Sequence, residues 1–189
     1  MSNDILTLVW FKRDLRVLDH APLTDAAEIG RVLPVYVIEP EVIEAADFDA
    51  LHWDFIRESL IDLNTSLEKL GVSLFIQLGE VCDVFQRLHQ QFGFTQIFAH
   101  EETGNALSYC RDRRLARWAK SAGVTFKETP QNGVVRRLED RDGWSKVWES
   151  RMSQPITLPA RNICGPMLSD GDVQIPVSYT HLRAHETRP

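Results

Sequence analysis

The chain has 189 residues, of which 43% are hydrophobic and 25% charged, and its formal net charge is −6 at pH 7. This composition is typical of a globular protein with room for one ordinary domain and a tail. Duplex DNA binding depends on Lys and Arg that neutralise phosphates, so we expect no direct DNA binding by this domain. Because every apolar run is shorter than the roughly 20 residues of a membrane helix, we also expect no membrane-spanning segment.

The N-terminus and the cysteines favour a cytoplasmic location. The first residues (MSND) show no basic segment followed by an apolar one, so a secretory signal is not expected. Three widely spaced cysteines form neither a Cys-x-x-Cys pair nor an even set, which indicates reduced thiols. We predict no metal site.

Short apolar runs alternate with amphipathic stripes over the first 130 residues. The predicted strands are residues 5–11, 32–38, 73–78, 95–99 and 124–127, and the predicted helices are residues 22–29, 49–70, 81–92 and 105–122. A glycine follows each of the three long helices, at Gly71, Gly93 and Gly123. This alternation predicts an α/β fold with a five-stranded, doubly wound, Rossmann-like parallel sheet and helices on both faces. Ligands are expected at the carboxyl ends of the strands.

The pattern changes after the fifth strand. We predict a domain core over residues 1–130 and a domain-edge segment over 131–155, with a short helix from Trp144 to Met152. Residues 156–176 carry repeated Pro and Gly without a period, which indicates an irregular interdomain linker.

Residues 177–189 form a tail without hydrophobic periodicity. The run VSYTHLRAHE is similar to the conceptual translation of a transposon-end sequencing adapter, so we expect a disordered read-through and a gene that continues further. His181 and His185 have the spacing of a helical metal site, but a third ligand is missing from this tail.

The loop after the first strand carries the most informative motif. It reads Trp10-Phe11 and then Lys12-Arg13-Asp14-Leu15-Arg16, with neither a Gly-x-Gly-x-x-Gly nor a Gly-Lys-Ser/Thr sequence. One interpretation is a loop held by salt bridges through Asp14 and Arg16. The other is a pocket in which aromatic and Arg side chains stack on a planar ring.

Three ordered motifs resemble photolyases and cryptochromes. The first is LVWFKRDLR at residues 8–16 with Asp19, and the second is HEETGN at residues 100–105, which leads to an Arg-Asp pair at 111–112. The third is PQNGVVRRL at residues 130–138 with RDGW at 141–144, which is similar to a bacterial cryptochrome-like branch. Together they cover roughly the first 155 residues.

The resemblance implies the N-terminal antenna-type domain of a bacterial deoxyribodipyrimidine photolyase or cryptochrome-like protein. In that family FAD lies in a helical C-terminal domain, which also contacts damaged DNA, and a folate or a deazaflavin or flavin can serve as antenna. Those flavin and DNA sites lie outside this chain. We therefore expect no catalytic residues here and no activity from the fragment alone.

The resemblance also implies an antenna cleft with nine residues. They are Trp10, Phe11, Arg13, Asp14, Arg16, Glu101, Glu102, Asn105 and Arg111. Familiar folate sites use an Asn-Glu pair shortly before the Arg-Asp, and those two positions here are Leu107 and Ser108. Glu101, Glu102 and Asn105 alternatively cap the helix that follows them, and His100 is interpreted as a structural histidine rather than a base.

Three functions remain in view. The parent protein is a photolyase that repairs pyrimidine dimers, or a cryptochrome-like photosensor, and the residues that separate these two lie downstream. A third alternative is an unrelated α/β nucleotide-binding module, which requires a phosphate loop that the sequence lacks.

Overall fold

The protein is described by a computed structural model over residues 5–136, 138, 140–167 and 176. Its strands are β1 (Leu6–Phe11), β2 (Arg31–Ile38), β3 (Phe75–Leu78), β4 (Gln96–His100) and β5 (Thr125–Thr129). Its helices are α1 (Ala21–Ile29), α2 (Pro40–Ile43), α3 (Ala50–Leu70), α4 (Val81–Phe92), α5 (Ala106–Ala122) and α6 (Trp144–Met152). The predicted tail, residues 177–189, lies outside the described residues, as does most of 168–176.

All five strands run parallel in one sheet with the order β3-β2-β1-β4-β5. The predicted α/β class is therefore confirmed. The chain adds β2 and β3 on one side of β1 and then returns to place β4 on the other side. Strand order reverses between β1 and β4, so the carboxyl ends of these strands border the expected ligand crevice.

β1 lies at the centre of the sheet, and all six of its residues are buried. Leu8 and Trp10 point into the core beneath α4 and α5, whereas Val9 and Phe11 point into the core beneath α1 and α3. A strand buried on both faces needs a nearly continuous apolar sequence, which explains why five of the six residues from Leu6 to Phe11 are apolar and Thr7 is the exception.

α3 starts and ends where its sequence predicts. The Asp49 carboxylate accepts hydrogen bonds from the backbone N–H groups of Leu51 and His52, and the His52 side chain accepts one from the Asp49 N–H, forming a reciprocal capping box. Gly71 ends the helix in the left-handed conformation, with φ 103°. Leu60, Leu63 and Leu67 of the predicted stripe are buried.

Two local features differ from the simple strand and helix pattern. The four-residue helix α2 was not predicted, because a single turn is too short to show a helical period. β2 runs unbroken through Pro34, which is paired with Val9 and lies one residue before β2 begins to pair with β3 at Val35.

The irregular segment after α6 packs against the domain. The Asp19 N–H donates to the Thr157 carbonyl at 2.8 Å, and the Val32 N–H donates to the Cys164 carbonyl at 2.7 Å. Ile163 is 4% exposed within the core beneath α1 and α3. The segment is therefore anchored at both ends, while its role as an interdomain linker stays a prediction.

Gly165 provides a test of this packing. A Cβ atom at this position would lie 2.6 Å from the Val32 carbonyl oxygen and 2.8 Å from a Val72 methyl carbon. We expect Gly165→Ala to lower the free energy of unfolding by about 1–3 kcal/mol in urea titrations, because the backbone must shift. Met167→Ala, at a side chain that is 99% exposed, serves as the control and should have little effect. Equal midpoints for both variants would contradict the anchored segment.

Candidate functional site

A cleft of about 550 Å³ opens at the carboxyl end of the sheet. Trp10, Phe11 and Tyr36 from β1 and β2 lie at its base. Polar groups from the strand ends and from α5 line one side, and apolar side chains of α3 and the preceding turn line the other. The apolar wall consists of Phe48, Leu51, Phe55 and Ile56.

Trp10 is buried between an aromatic ring and two cations. Its indole meets Phe85 edge to face, with ring centroids 5.4 Å apart. The Lys12 ammonium lies 4.4 Å and the Arg111 guanidinium 4.7 Å from the Trp10 ring centroid. Both cations are drawn to the π-electrons of the indole, so Trp10 helps to hold them beside the cleft.

Arg111 is the centre of a buried ionic network. Its Nη1 donates to Glu39 at 2.6 Å, its Nη2 to Glu102 at 2.5 Å, and its Nε to Asp112 at 3.1 Å. The residue is 3% exposed. A buried guanidinium needs such partners, because an unpaired buried charge is strongly destabilising. β2, α5 and the loop after β4 are thereby joined at one point.

The three carboxylates are not equally compensated. Asp112 also forms salt bridges with Lys12 at 3.4 Å and with Arg136 at 3.1 Å. Glu102 forms a second salt bridge with Arg13 at 3.2 Å. Among the described residues, the Glu39 side chain pairs only with Arg111. Burial raises the pKa of Glu39 to about 7, against the attraction of Arg111 and with a further increase from the neighbouring Glu102.

Asp14 connects three elements outside this cleft lining. One oxygen, Oδ2, accepts hydrogen bonds from His20 Nε2 at 3.0 Å and from His100 Nδ1 at 2.6 Å. The other, Oδ1, accepts the Lys12 backbone N–H at 2.8 Å. Burial alone would raise the pKa of Asp14, but the hydrogen bonds from the two histidines lower it below its ordinary value. The ends of β1 and β4 and the start of α1 are joined through this carboxylate.

His20 is held in one tautomer. Its Nδ1 accepts the Leu23 backbone N–H at 3.1 Å as the N-cap of α1, so its Nε2 carries the proton that is donated to Asp14. Burial lowers the pKa of His20, which favours the neutral ring. Among the described residues, Asp14, His20 and His100 are one buried group with potential metal-ligand atoms within 4.8 Å of each other. Because His20 Nε2 carries a proton, it donates a hydrogen bond to Asp14 and has no lone pair to bind a metal ion.

The cleft brings together six of the nine predicted site residues. Trp10, Phe11, Arg13, Glu102, Asn105 and Arg111 line it. Asn105 is also the N-cap of α5 and accepts the Ser108 N–H at 3.2 Å, so its lining and capping positions coincide.

The other three predicted residues lie away from the lining. Asp14 binds the two histidines described above. Arg16 donates to the Asp19 carbonyl at 3.0 Å, and the Glu101 backbone N–H donates to the Thr129 carbonyl at 2.9 Å. Their part in binding a chromophore stays a prediction.

Several lining residues escaped the sequence reasoning. Tyr36 and Glu39 stand at the end of β2, and Leu51 and Phe55 stand one turn apart near the start of α3. Leu51 and Phe55 are 76% and 73% exposed. The solvent-facing side of an amphipathic helix is normally polar. Two large apolar side chains four residues apart on that side of α3 could therefore have indicated a binding surface.

The family model described as DNA photolyase matches residues 7–142 of the chain. The chain belongs to the photolyase and cryptochrome family. A curated relative, the chloroplastic/mitochondrial cryptochrome DASH of Solanum lycopersicum, is 35% identical over 164 residues, which are 82% of this chain and 27% of the relative. This family domain thus spans about a quarter of the relative's length.

Solved structures share the same fold. A Synechocystis sp. PCC6803 cryptochrome aligns over 93% of this chain and 40% of its own, with a TM-score of 0.74 and 21% identity. An archaeal photolyase from Sulfolobus tokodaii, described with two FAD molecules, aligns over 97% of this chain and 42% of its own, with a TM-score of 0.68 and 20% identity. Within the described residues, no helix of this photolyase and cryptochrome domain has the length and apolar character needed to cross a membrane.

The raised pKa of Glu39 predicts how the free energy of unfolding depends on pH. Its pKa of about 7 lies above the ordinary value of 4.5, so between these values the folded state binds the proton that the unfolded state releases. Its stabilising contribution is complete below the unfolded pKa and is lost as pH rises through the folded one.

Between about pH 5 and about pH 8, the free energy of unfolding should therefore fall more steeply in the parent chain than in Glu39→Gln, by on the order of 2 kcal/mol. Urea titrations at the two pH values measure this difference. Glu44→Gln makes the same change at an exposed position outside the cleft lining and should keep the parent profile. Parallel profiles for the parent and Glu39→Gln would show that Glu39 is already ionised at pH 5.

Proposed function

We propose that the chain is the light-harvesting domain of a DNA photolyase and that its cleft holds a flavin or deazaflavin antenna. The observation that carries this proposal is the position and lining of the cleft. It lies at the carboxyl end of β1, close to the point where strand order reverses, with Trp10 at its base and an apolar wall of α3 opposite. Such a crevice is where open parallel sheets bind their ligands.

The apolar wall suits a flat aromatic ligand. Leu51 and Phe55 face the cleft yet are 76% and 73% exposed. A ring system between this wall and the base around Trp10 would remove much of that apolar surface from water, at roughly 25 cal/mol per Å². The hydrophobic gain and the apolar wall both support an aromatic occupant.

The polar residues favour a flavin-type ring over a folate bound in the familiar manner. Leu107 and Ser108 occupy the positions of the folate-binding Asn-Glu pair, and both line the cleft. A leucine side chain offers no hydrogen bond to a pterin. The archaeal photolyase with two FAD molecules, whose second flavin suggested a novel light-harvesting cofactor, gives a precedent in the same fold.

The remaining chemistry belongs to a longer protein. In a photolyase, excited reduced FAD donates an electron to a pyrimidine dimer, the bonds that join the two bases break, and the electron returns to the flavin. In this proposal FAD and damaged DNA bind a further domain, and the present domain supplies excitation energy. The unrelated nucleotide-binding module lacks support, because the turn after β1 is KRDLR and its Asp14 folds back onto His20 and His100.

A cryptochrome-like photosensor is the second candidate. The 35% identity to the tomato cryptochrome DASH favours it as directly as the archaeal structure favours a photolyase.

Flavin binding by the chain tests the antenna role. We expect riboflavin to bind with quenching of its fluorescence, and Phe55→Ser to weaken this binding about 10-fold, because the wall loses a large apolar contact. Ile61→Ser changes a half-exposed apolar residue of α3 that does not line the cleft, and it should bind like the parent. Similar affinities in the two variants would remove the cleft from the proposal.

Light-driven repair separates the two candidates. The chain alone should leave a thymine dimer intact under near-ultraviolet light, even with reduced FAD present. The protein extended by its downstream coding sequence should restore the two thymines, measured by chromatography of the digested oligonucleotide. An extended protein that binds FAD and leaves the dimer intact would favour the photosensor.

A further inference from the structure

The cleft has a distinct acidic end. Glu39, at the end of β2, and Glu102, in the loop after β4, both line it, and their side chains are 12% and 8% exposed. Arg111 lies between them and binds one oxygen of each. Two mostly buried carboxylates thus face a cleft whose opposite wall is apolar.

The two buried cations at this end, Arg111 and Lys12, have most of their donors engaged within the protein. Arg111 donates to Glu39, Glu102 and Asp112, and the Lys12 ammonium donates to Asp112 and Glu128. An anionic ligand group that approached Arg111 or Lys12 would have to compete with these carboxylates. The buried part of this end therefore favours a ligand group that donates a hydrogen bond, whereas the exposed Arg13 is left for an anionic group nearer the solvent.

Glu39 has one oxygen left for a ligand. Its Oε1 accepts the hydrogen bond from Arg111, and Oε2 accepts none from the residues that the structure describes. Glu39 is the N-cap residue of α2, yet its side chain makes no capping hydrogen bond. Such a bond normally stabilises a helix start by about 1 kcal/mol, so the orientation towards Arg111 is maintained without that local gain.

We propose that Glu39, supported by Glu102, accepts a hydrogen bond from a ring N–H of the chromophore, so that the cleft selects flat heterocycles carrying an amide or imide N–H edge. This inference rests on the proposed antenna function and adds the group that is recognised. Flavins, deazaflavins and pterins all carry such an edge. A hydrogen bond to Glu39 would place the uncharged ring of such a ligand at the acidic end of the cleft and any anionic tail towards its mouth.

Residues at the mouth and at the base of the cleft are suited to this orientation of the ligand. The side chains of Arg13 and His52 are 69% and 56% exposed at the cleft, where an anionic tail can reach them. Burial and the neighbouring Glu39 raise the pKa of Tyr36, so its hydroxyl stays protonated and can donate to a ring carbonyl beside the N–H.

Methylation of the ligand tests the N–H contact in the unaltered protein. Riboflavin and 3-methylriboflavin differ only in the imide hydrogen and the methyl group that replaces it. In equilibrium titrations of the full chain, we expect 3-methylriboflavin to bind at least about 10-fold more weakly, because a charge-assisted hydrogen bond is lost. Equal affinities for the two flavins would overturn the inference while leaving the antenna function intact.

Variants test the role of Glu39. Riboflavin affinity should rise between about pH 6 and about pH 8 as Glu39 ionises and becomes the better acceptor, following its pKa of about 7. Glu39→Gln should remove that rise and reduce the preference for riboflavin over its 3-methyl form. Glu44→Gln, the same substitution at the C-cap residue of α2 and outside the lining, should retain both.

The remaining outcomes separate the two proposals. Binding of neither riboflavin nor 6-hydroxymethylpterin would defeat both the antenna function and the inference. Pterin binding that weakens in Glu39→Gln would support the inference with a folate-type source of the same N–H edge. Flavin binding that is insensitive to both N-methylation and Glu39→Gln would refute the inference alone.

Discussion

The buried guanidinium of Arg111 imposes the main constraint on this end of the molecule. A positive charge that is 3% exposed must have acidic partners, and three carboxylates from different parts of the chain supply them. Glu39 fixes the end of β2, Glu102 fixes the loop after β4, and Asp112 recruits Lys12 and Arg136. The network also shapes the cleft, because Glu39 and Glu102, two of the three carboxylates that pair with Arg111, belong to its polar side.

A second set of hydrogen bonds, centred on Asp14, joins the ends of β1 and β4 to the start of α1. Asp14 holds His20 and His100, and His20 in turn caps α1. The two sets meet in the sequence of the first loop, where Lys12 belongs to one and Asp14 to the other. The charged residues of this loop therefore lie on opposite faces of β1. Lys12 joins the network beside the cleft, and Asp14 joins the hydrogen bonds to α1 and β4.

The sequence predicted regular structure better than it predicted the cleft. Apolar runs and glycine stops located five strands and the long helices to within about two residues, because burial on both sheet faces leaves a strong local pattern. Glu39, Tyr36 and Phe55 were missed, since they join the cleft only through the spatial order of the strands and the path of α3. Asp14 and Arg16 were predicted to line the cleft because they share a motif with Trp10, but they lie outside the lining. Local sequence does not show towards which side of a loop each side chain points.

The docked segment between Thr157 and Gly165 runs along the domain from one end of the sheet to the other. It starts beside Asp19, at the carboxyl end of the sheet, and finishes beside Val32, at the amino end. A six-residue strand such as β1 spans about 20 Å, so Gly165 lies roughly that far from the cleft. A reporter fused after Met167 therefore starts near the amino end of the sheet, away from the cleft mouth.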